Sequence, residues 1–383
     1  MNLESIVAEC REWFADPDFS RLRGHLAATG EHAVGLFPVY TPEEIVLAAG
    51  FLPVHTYGGG NLVEIDHADS RIQSFVCSIC RSTLELGLTA RLDWAEGFVF
   101  PSICDVARNL SGVWTRNFPD RFAAYIHFPE KDSIPAARQY LRTEFARLEH
   151  ILERRSGRSI RREDYHRAFA VLNEQRKLLR QLYTLRSEQP WKLTTLELYT
   201  LTRAGGMMPR EQHIEMLRLA LAEAGARVGK PQDRIRVVVE GSFCEQPPLD
   251  LLMAIEDAGC YIVDDDFLLG QRYLEQDVPL AGDPLDALAE TFLEAGVPTA
   301  TYRSRRPRGP ALVEKARAAR ADGVIFCIAK FCEPALYDYV LLNRELEKAG
   351  IPALYFEFEE KANVFDNMRM QVESFVESRL LFS

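Results

Sequence analysis

The sequence predicts an α/β protein made of two doubly wound, Rossmann-like parallel-sheet lobes facing a common cleft, with extra helices. Three observations predict it. Short apolar runs alternate with amphipathic helical segments along most of the chain. Those runs lack the polar alternation of a half-solvated sheet, so they suit strands buried on both faces. One run also recurs: Glu96-Gly97-Phe98-Val99-Phe100 is echoed by Asp322-Gly323-Val324-Ile325-Phe326, and each echo is followed by a cysteine and an acid, Cys104-Asp105 and Cys332-Glu333. Open α/β sheets bind ligands at the carboxyl ends of their strands. The echo therefore places both cysteines at one cleft.

In chain order, an N-terminal helical segment comes first. Thr41-Pro42-Glu43-Glu44 then reads as a helix start, with Thr41 as cap, Pro42 in the first turn and Glu44 completing a capping box; Gly50 stops that helix. A strand over 51–55 follows, and Gly58-Gly59-Gly60 breaks it into a loop. A helix over 78–88, a strand over 98–103, a helix from Asp105 and a strand over 123–128 continue the rhythm. Between 133 and about 153, Leu141, Phe145, Leu148 and Leu152 form one helical stripe, and a second helix over 159–186 makes a hairpin beside the first sheet. Ala204-Gly205-Gly206 marks a crossing segment. Beyond it come strands over 235–240, 261–263, 324–328 and 353–356, with helices from Leu249, Ala311, Pro334 and Lys361. At roughly 150 residues per domain, the 383 residues divide into 1–203 (helical segment, first lobe and hairpin) and 204–383 (second lobe).

Lys and Arg number 45 against 56 Asp and Glu, a net charge of -11, which argues against a surface built to hold nucleic acid or anionic lipid. The start of the chain lacks a basic segment followed by an apolar core, and no apolar run is long enough to span a bilayer, so a cytoplasmic protein is expected. In that compartment the eight cysteines are expected as thiols, ligands or nucleophiles rather than as a disulfide framework.

Cys77-Ser78-Ile79-Cys80 admits three chemistries: a dithiol pair, half a zinc site, or iron-sulfur ligation. Zinc wants a second pair of similar spacing, whereas Cys327 and Cys332 lie on a strand and its exit. A dithiol pair leaves Cys104 and Cys332 unexplained. A cluster uses one thiolate from Cys77 and one from each strand end, leaving a fourth iron open. Each of these cysteines precedes a predicted helix, whose first backbone N–H groups stabilise negative charge. Cys80 and Cys327 are the nearest alternatives as ligands, and Cys10, Cys244 and Cys260 read as small core residues.

Other candidates are weaker. Gly225-Ala226-Arg227-Val228-Gly229-Lys230 is one residue short of a phosphate loop and is followed by Pro231 instead of Ser or Thr, so no nucleotide site is read there. Two basic clusters, Arg154, Arg155, Arg158, Arg161 and Arg162, and then Arg303, Arg305, Arg306 and Arg308, read as solvated loop charge, with a phosphate-bearing ligand or an acidic partner as the sharper alternative. His55, His67 and His127 lie near strand ends and read as structural; no catalytic acid is named. Asp264-Asp265-Asp266, with Arg272 beyond, reads as a helix cap with local pairing.

Pro42-Glu43-Glu44 through Ala49-Gly50-Phe51-Leu52-Pro53-Val54, Cys77-Ser78-Ile79-Cys80-Arg81-Ser82, Phe100-Pro101-Ser102-Ile103-Cys104-Asp105 and Lys330-Phe331-Cys332-Glu333-Pro334 together resemble the 2-hydroxyacyl-CoA dehydratase and benzoyl-CoA reductase family. The resemblance covers most of the chain. Within it, the Tyr57-Gly58-Gly59-Gly60 loop and the run over 102–110 most resemble the smaller cluster-carrying subunit of the ATP-dependent reductases. The resemblance implies a 4Fe-4S cluster on Cys77, Cys104 and Cys332. It also implies a heterotetramer with a larger paralogous cluster-bearing subunit and an ATP-hydrolysing, electron-activating pair, acting on benzoyl-CoA or a related acyl-CoA. A dehydratase subunit, or a non-catalytic cluster scaffold for the paralogue, are the alternatives within that reading. The family's late signature is only partly present, as Phe356-Glu357-Phe358-Glu359 and then Asn367-Met368-Arg369-Met370-Gln371.

Overall fold

A computed structural model describes residues 1–241, 247–266, 276–295, 307–359 and 365–380. The strands that lack polar alternation assemble into two four-stranded parallel sheets. The first holds β1 (Ala33–Leu36), β2 (Leu52–His55), β3 (Ala95–Pro101) and β4 (Phe122–Ile126) in the order β2-β1-β3-β4. The second holds β5 (Ile235–Gly241), β6 (Cys260–Asp265), β7 (Gly323–Ala329) and β8 (Ala353–Phe358) in the order β6-β5-β7-β8. Each lobe thus runs its second strand to one side of the first and its third to the other. The crevice between first and third strands is the topological switch point of each sheet. The echoed runs fall on β3 and β7, the same place in both sheets.

Helices surround these sheets: α1 (Leu3–Glu12), α2 (Ser20–Thr29), α3 (Glu43–Ala48), α4 (Ser78–Leu88), α5 (Asp105–Asn117), α6 (Ala136–Ser156) and α7 (Arg162–Glu188). They continue with α8 (Thr195–Ala204), α9 (Arg210–Ala226), α10 (Leu249–Asp257), α11 (Pro284–Ala295), α12 (Arg308–Ala318), α13 (Glu333–Ala349) and α14 (Asp366–Leu380). Among the described residues no helix is long and apolar enough to cross a membrane.

The stripe of α6 is buried as its spacing requires: Leu141, Phe145 and Leu152 have no exposed surface, and Phe145 meets Phe292 of α11 edge-on at 5.3 Å. The hairpin partner reaches further than expected. With 27 residues, α7 is about 40 Å long and touches both lobes. It packs on α3 and α9, and near its C-terminal end Arg186 pairs with Asp265 of β6 at 2.7 Å.

Several local expectations are corrected. Thr41 does not cap α3; Pro42 is the N-cap and makes no side-chain cap bond. Glu43 and Glu44 are buried and lie against Arg210 and Arg176, so tertiary ion pairs replace the capping box. β1 is absent from the sequence reading, because four residues interrupted by Gly35 carry too little pattern. Helices α8, α9 and α11 are likewise additions made by the structure. Asp264 and Asp265 end β6 instead of capping a helix, while Arg272, Lys361 and Arg303, Arg305 and Arg306 lie outside the described residues.

Gly35 shows how tightly the first sheet is filled. A Cβ there would stand 2.3 Å from Cε1 of Phe98, whose ring packs on Trp114 at 4.4 Å. Gly35→Ala is therefore expected to destabilise the chain by about 1–3 kcal/mol. Chemical denaturation of the single variant and of Gly35→Ala combined with Phe98→Leu checks this: the second change should restore part of the loss.

Candidate functional site

Three residues past the last residue of β3, Cys104 forms the N-cap of α5; three residues past the end of β7, Cys332 forms the N-cap of α13. Cys77 is the N-cap of α4, the helix that leads into β3. The sequence folds this way because each strand runs out of apolar residues and the chain turns into a helix at once, with Pro334 suiting the first turn of α13. All three cysteines line one cavity of about 550 Å3 at the carboxyl ends of the strands. Both lobes contribute to it, since Cys332 and Phe331 come from the second.

Cys77 and Cys332 are buried and Cys104 is half-buried. The Cys104 sulfur accepts the Ala107 amide at 3.4 Å. Its thiol is pushed up to about 12, mainly by burial and further by Cys77 and Cys332, with the Ala107 amide pulling the other way. A thiol held that high is a poor nucleophile near neutral pH. A positive metal centre would favour its thiolate form. Among the described residues, no three His, Cys, Asp or Glu side chains are set to hold a metal ion together. Three cysteines around a cavity instead suit a group with several metal atoms, each taking one thiolate. The three cysteines offer sulfur donors, the preference of iron-sulfur chemistry.

The other cysteines are placed elsewhere. Cys80 is buried within α4 and Cys327 within β7, its thiol pushed up to about 12 by burial; neither lines the cavity. Cys10 and Cys260 are core residues whose thiols burial also pushes up to about 12, and Cys244 lies outside the described residues. None of the seven described cysteines is joined in a disulfide.

Of His55, His67 and His127, only His127 lines the cavity, packed edge-on against Tyr125 at 4.7 Å. His55 is buried on the Pro38 carbonyl and 3.6 Å from Glu43, and His67 bonds Glu85 at 2.7 Å. The cavity also has an aromatic rim that sequence patterning does not reveal. Phe75, Phe331 and Tyr337 are exposed and line it. Phe331 holds φ +66°, a left-handed backbone that is uncommon outside glycine. No spacing rule marks these rings, because they come from separate loops and a helix.

The first basic cluster is largely absorbed by the fold. Arg155 pairs with Glu96, Arg158 donates to the Ala48 carbonyl at 2.9 Å, Arg161 stands 3.6 Å from Asp164, and Arg162 donates to the Gly282 carbonyl at 3.0 Å. Arg308, of the second, contacts Asp266 at 3.3 Å and also Asp338. Arg227, in the rejected phosphate loop, pairs with Glu197 at 2.6 Å. In the partial late signature, Arg369 faces Glu373 at 3.5 Å.

Comparison with known proteins supplies the remaining findings. The family description 2-hydroxyglutaryl-CoA dehydratase, D-component, matches residues 38–378. The chain is 39% identical to a benzoyl-CoA reductase subunit of Thauera aromatica, with both chains covered in full. It is 30% identical to the (R)-phenyllactyl-CoA dehydratase beta subunit of Clostridium sporogenes, over 92% of this chain and 93% of that one. With the lactoyl-CoA dehydratase beta subunit of Anaerotignum propionicum the identity is 28%, over 98% and 99%.

Proposed function

The chain belongs to the 2-hydroxyglutaryl-CoA dehydratase D-component family, and from that premise we propose that it is the small, cluster-carrying subunit of an ATP-dependent benzoyl-CoA reductase. The observation that carries this reading is the 39% identity, end to end, with a benzoyl-CoA reductase subunit, against 30% and 28% with the dehydratase subunits. The reaction is the reduction of the benzoyl-CoA ring to a cyclic dienoyl thioester. Its partners are a larger paralogous subunit and an ATP-hydrolysing pair in a cytoplasmic heterotetramer.

In this reading Cys77, Cys104 and Cys332 hold a 4Fe-4S cluster. When bound, it supplies single electrons at low potential. The chain's own part is structural and electrostatic. Each of the three cysteines stands at a helix N-terminus, whose dipole favours negative charge, and at Cys104 the Ala107 amide donates to the sulfur. Phe75, Phe331 and Tyr337 give the mouth an apolar rim, which limits the water around the sulfurs. The absence of a phosphate loop in this sequence agrees with ATP being handled by partner chains.

The dehydratase relatives favour one second reading, a subunit that eliminates water from a 2-hydroxyacyl-CoA. Electron stoichiometry separates the two. Purified anaerobically with its co-expressed partners, the complex is expected to consume two electrons per benzoyl-CoA turned over. Turnover of a 2-hydroxyacyl-CoA with only a catalytic amount of reductant, and none of benzoyl-CoA, would replace the reductase reading with the dehydratase one.

A further inference from the structure

The acids of the repeated Cys-acid step have no part in the proposed function. Asp105 and Glu333 are each the residue after a cysteine cap and the first residue of a helix. Both are exposed, and both line the cavity with the three cysteines. Elsewhere the chain neutralises its important carboxylates: Glu43, Glu44 and Asp265 each lie against a buried arginine. Among the described residues no cation stands in ion-pair contact with Asp105 or Glu333. Arg108, one turn into α5, lines the same cavity and is likewise unpaired among them, while Glu130 adds a carboxylate from the segment after β4. The carboxylates are not grouped with the cysteines as donors to a shared metal ion. What they bring to the cavity is charge.

We propose that Asp105 and Glu333 hold down the reduction potential of the cluster carried by Cys77, Cys104 and Cys332, with Arg108 as the opposing charge. The inference rests on the cluster reading. A negative group beside a redox centre disfavours the added electron, and the effect is larger where water is partly excluded. Two lobes have arrived at the same Cys-acid step at equivalent strand ends, so the two charges act on the centre from both sides of the cleft. A helix-stabilising role also suits an acid in the first turn. That role predicts a change in melting temperature and none in potential.

The test is a potentiometric titration, followed by EPR, of the full chain produced anaerobically and reconstituted with iron and sulfide. Asp105→Asn and Glu333→Gln are each expected to move the midpoint to a less negative value, by about tenfold in the one-electron equilibrium or about 59 mV. The double variant should move it further. Arg108→Gln should move it the opposite way, and Asp105→Glu should leave it in place. Glu211→Gln, which removes a first-turn acid from α9 away from the cavity, is the control for helix effects. Iron-loaded variants that all share the wild-type potential would overturn this inference alone. Wild-type chain that takes up no cluster would overturn the cluster reading and the inference with it.

Discussion

Replacing any one of Cys77, Cys104 and Cys332 with alanine is expected to strip the chain of most of its iron and acid-labile sulfide, while Cys10→Ala and Cys260→Ala keep both. The three caps line one cavity and the two core residues do not. Loss of a residue that only supports a metal ligand typically costs about 10–100-fold in affinity or activity, so removal of a ligand itself should cost at least that in ring reduction. Folding should survive. The cap bond lost in Cys104→Ala is one amide to sulfur contact at 3.4 Å, and a cap replaced by alanine costs about 1 kcal/mol. Iron and sulfide analysis with EPR, beside circular dichroism of the same preparations, reads both effects. Full iron in all three variants would reject the ligand set, and an iron-free wild type would return the cysteines to a thiol or structural role.

Arg210→Met should unfold the chain far more readily, by about 3–5 kcal/mol, because it leaves a carboxylate buried without its partner. Arg210 is fully buried and donates to the carbonyls of Met208 at 2.7 Å and Pro53 at 2.8 Å and to Glu43 at 2.8 Å. Against a typical stability of about 5–15 kcal/mol, that loss is large. Burial alone would raise the Glu43 carboxyl, but Arg210 foremost, with His55 and Arg176, holds it well below its ordinary 4.5. A carboxyl lowered in the folded state contributes stability that is complete above its unfolded value and is lost as pH falls through the folded one. Urea unfolding below pH 4.5 should therefore weaken the wild type more steeply than Glu43→Gln. Parallel curves for the two would show that Glu43 titrates alike in both states.

Much of the architecture is legible because its signals are local. The stripe Leu141, Phe145, Leu148 and Leu152 needs only helical spacing, and β5, β7 and β8 need only their short apolar runs. Where the signal is short or shared, the reading fails. β1 is a four-residue central strand whose Gly35 admits the Phe98 ring, a reason visible only across the sheet. Thr41-Pro42-Glu43-Glu44 matches a capping box by spacing, yet the acids serve guanidinium groups 132 and 167 residues away. Asp264 and Asp265 look like helix-capping acids because nothing nearby announces that Arg186 will meet Asp265.

By itself, the sequence determined that this chain alternates strand and helix, that two strands carry a matching Cys-acid exit, and which three cysteines stand at helix starts. Periodicity and capping act over a few residues, so they can be read without a fold. Only the tertiary structure decided that Cys77, Cys104 and Cys332 border one cavity, that His127 lies there while His55 and His67 do not, and that aromatic side chains rim its mouth. Those outcomes depend on how two sheets are set against each other across α7, a packing to which every residue contributes and which no single segment encodes.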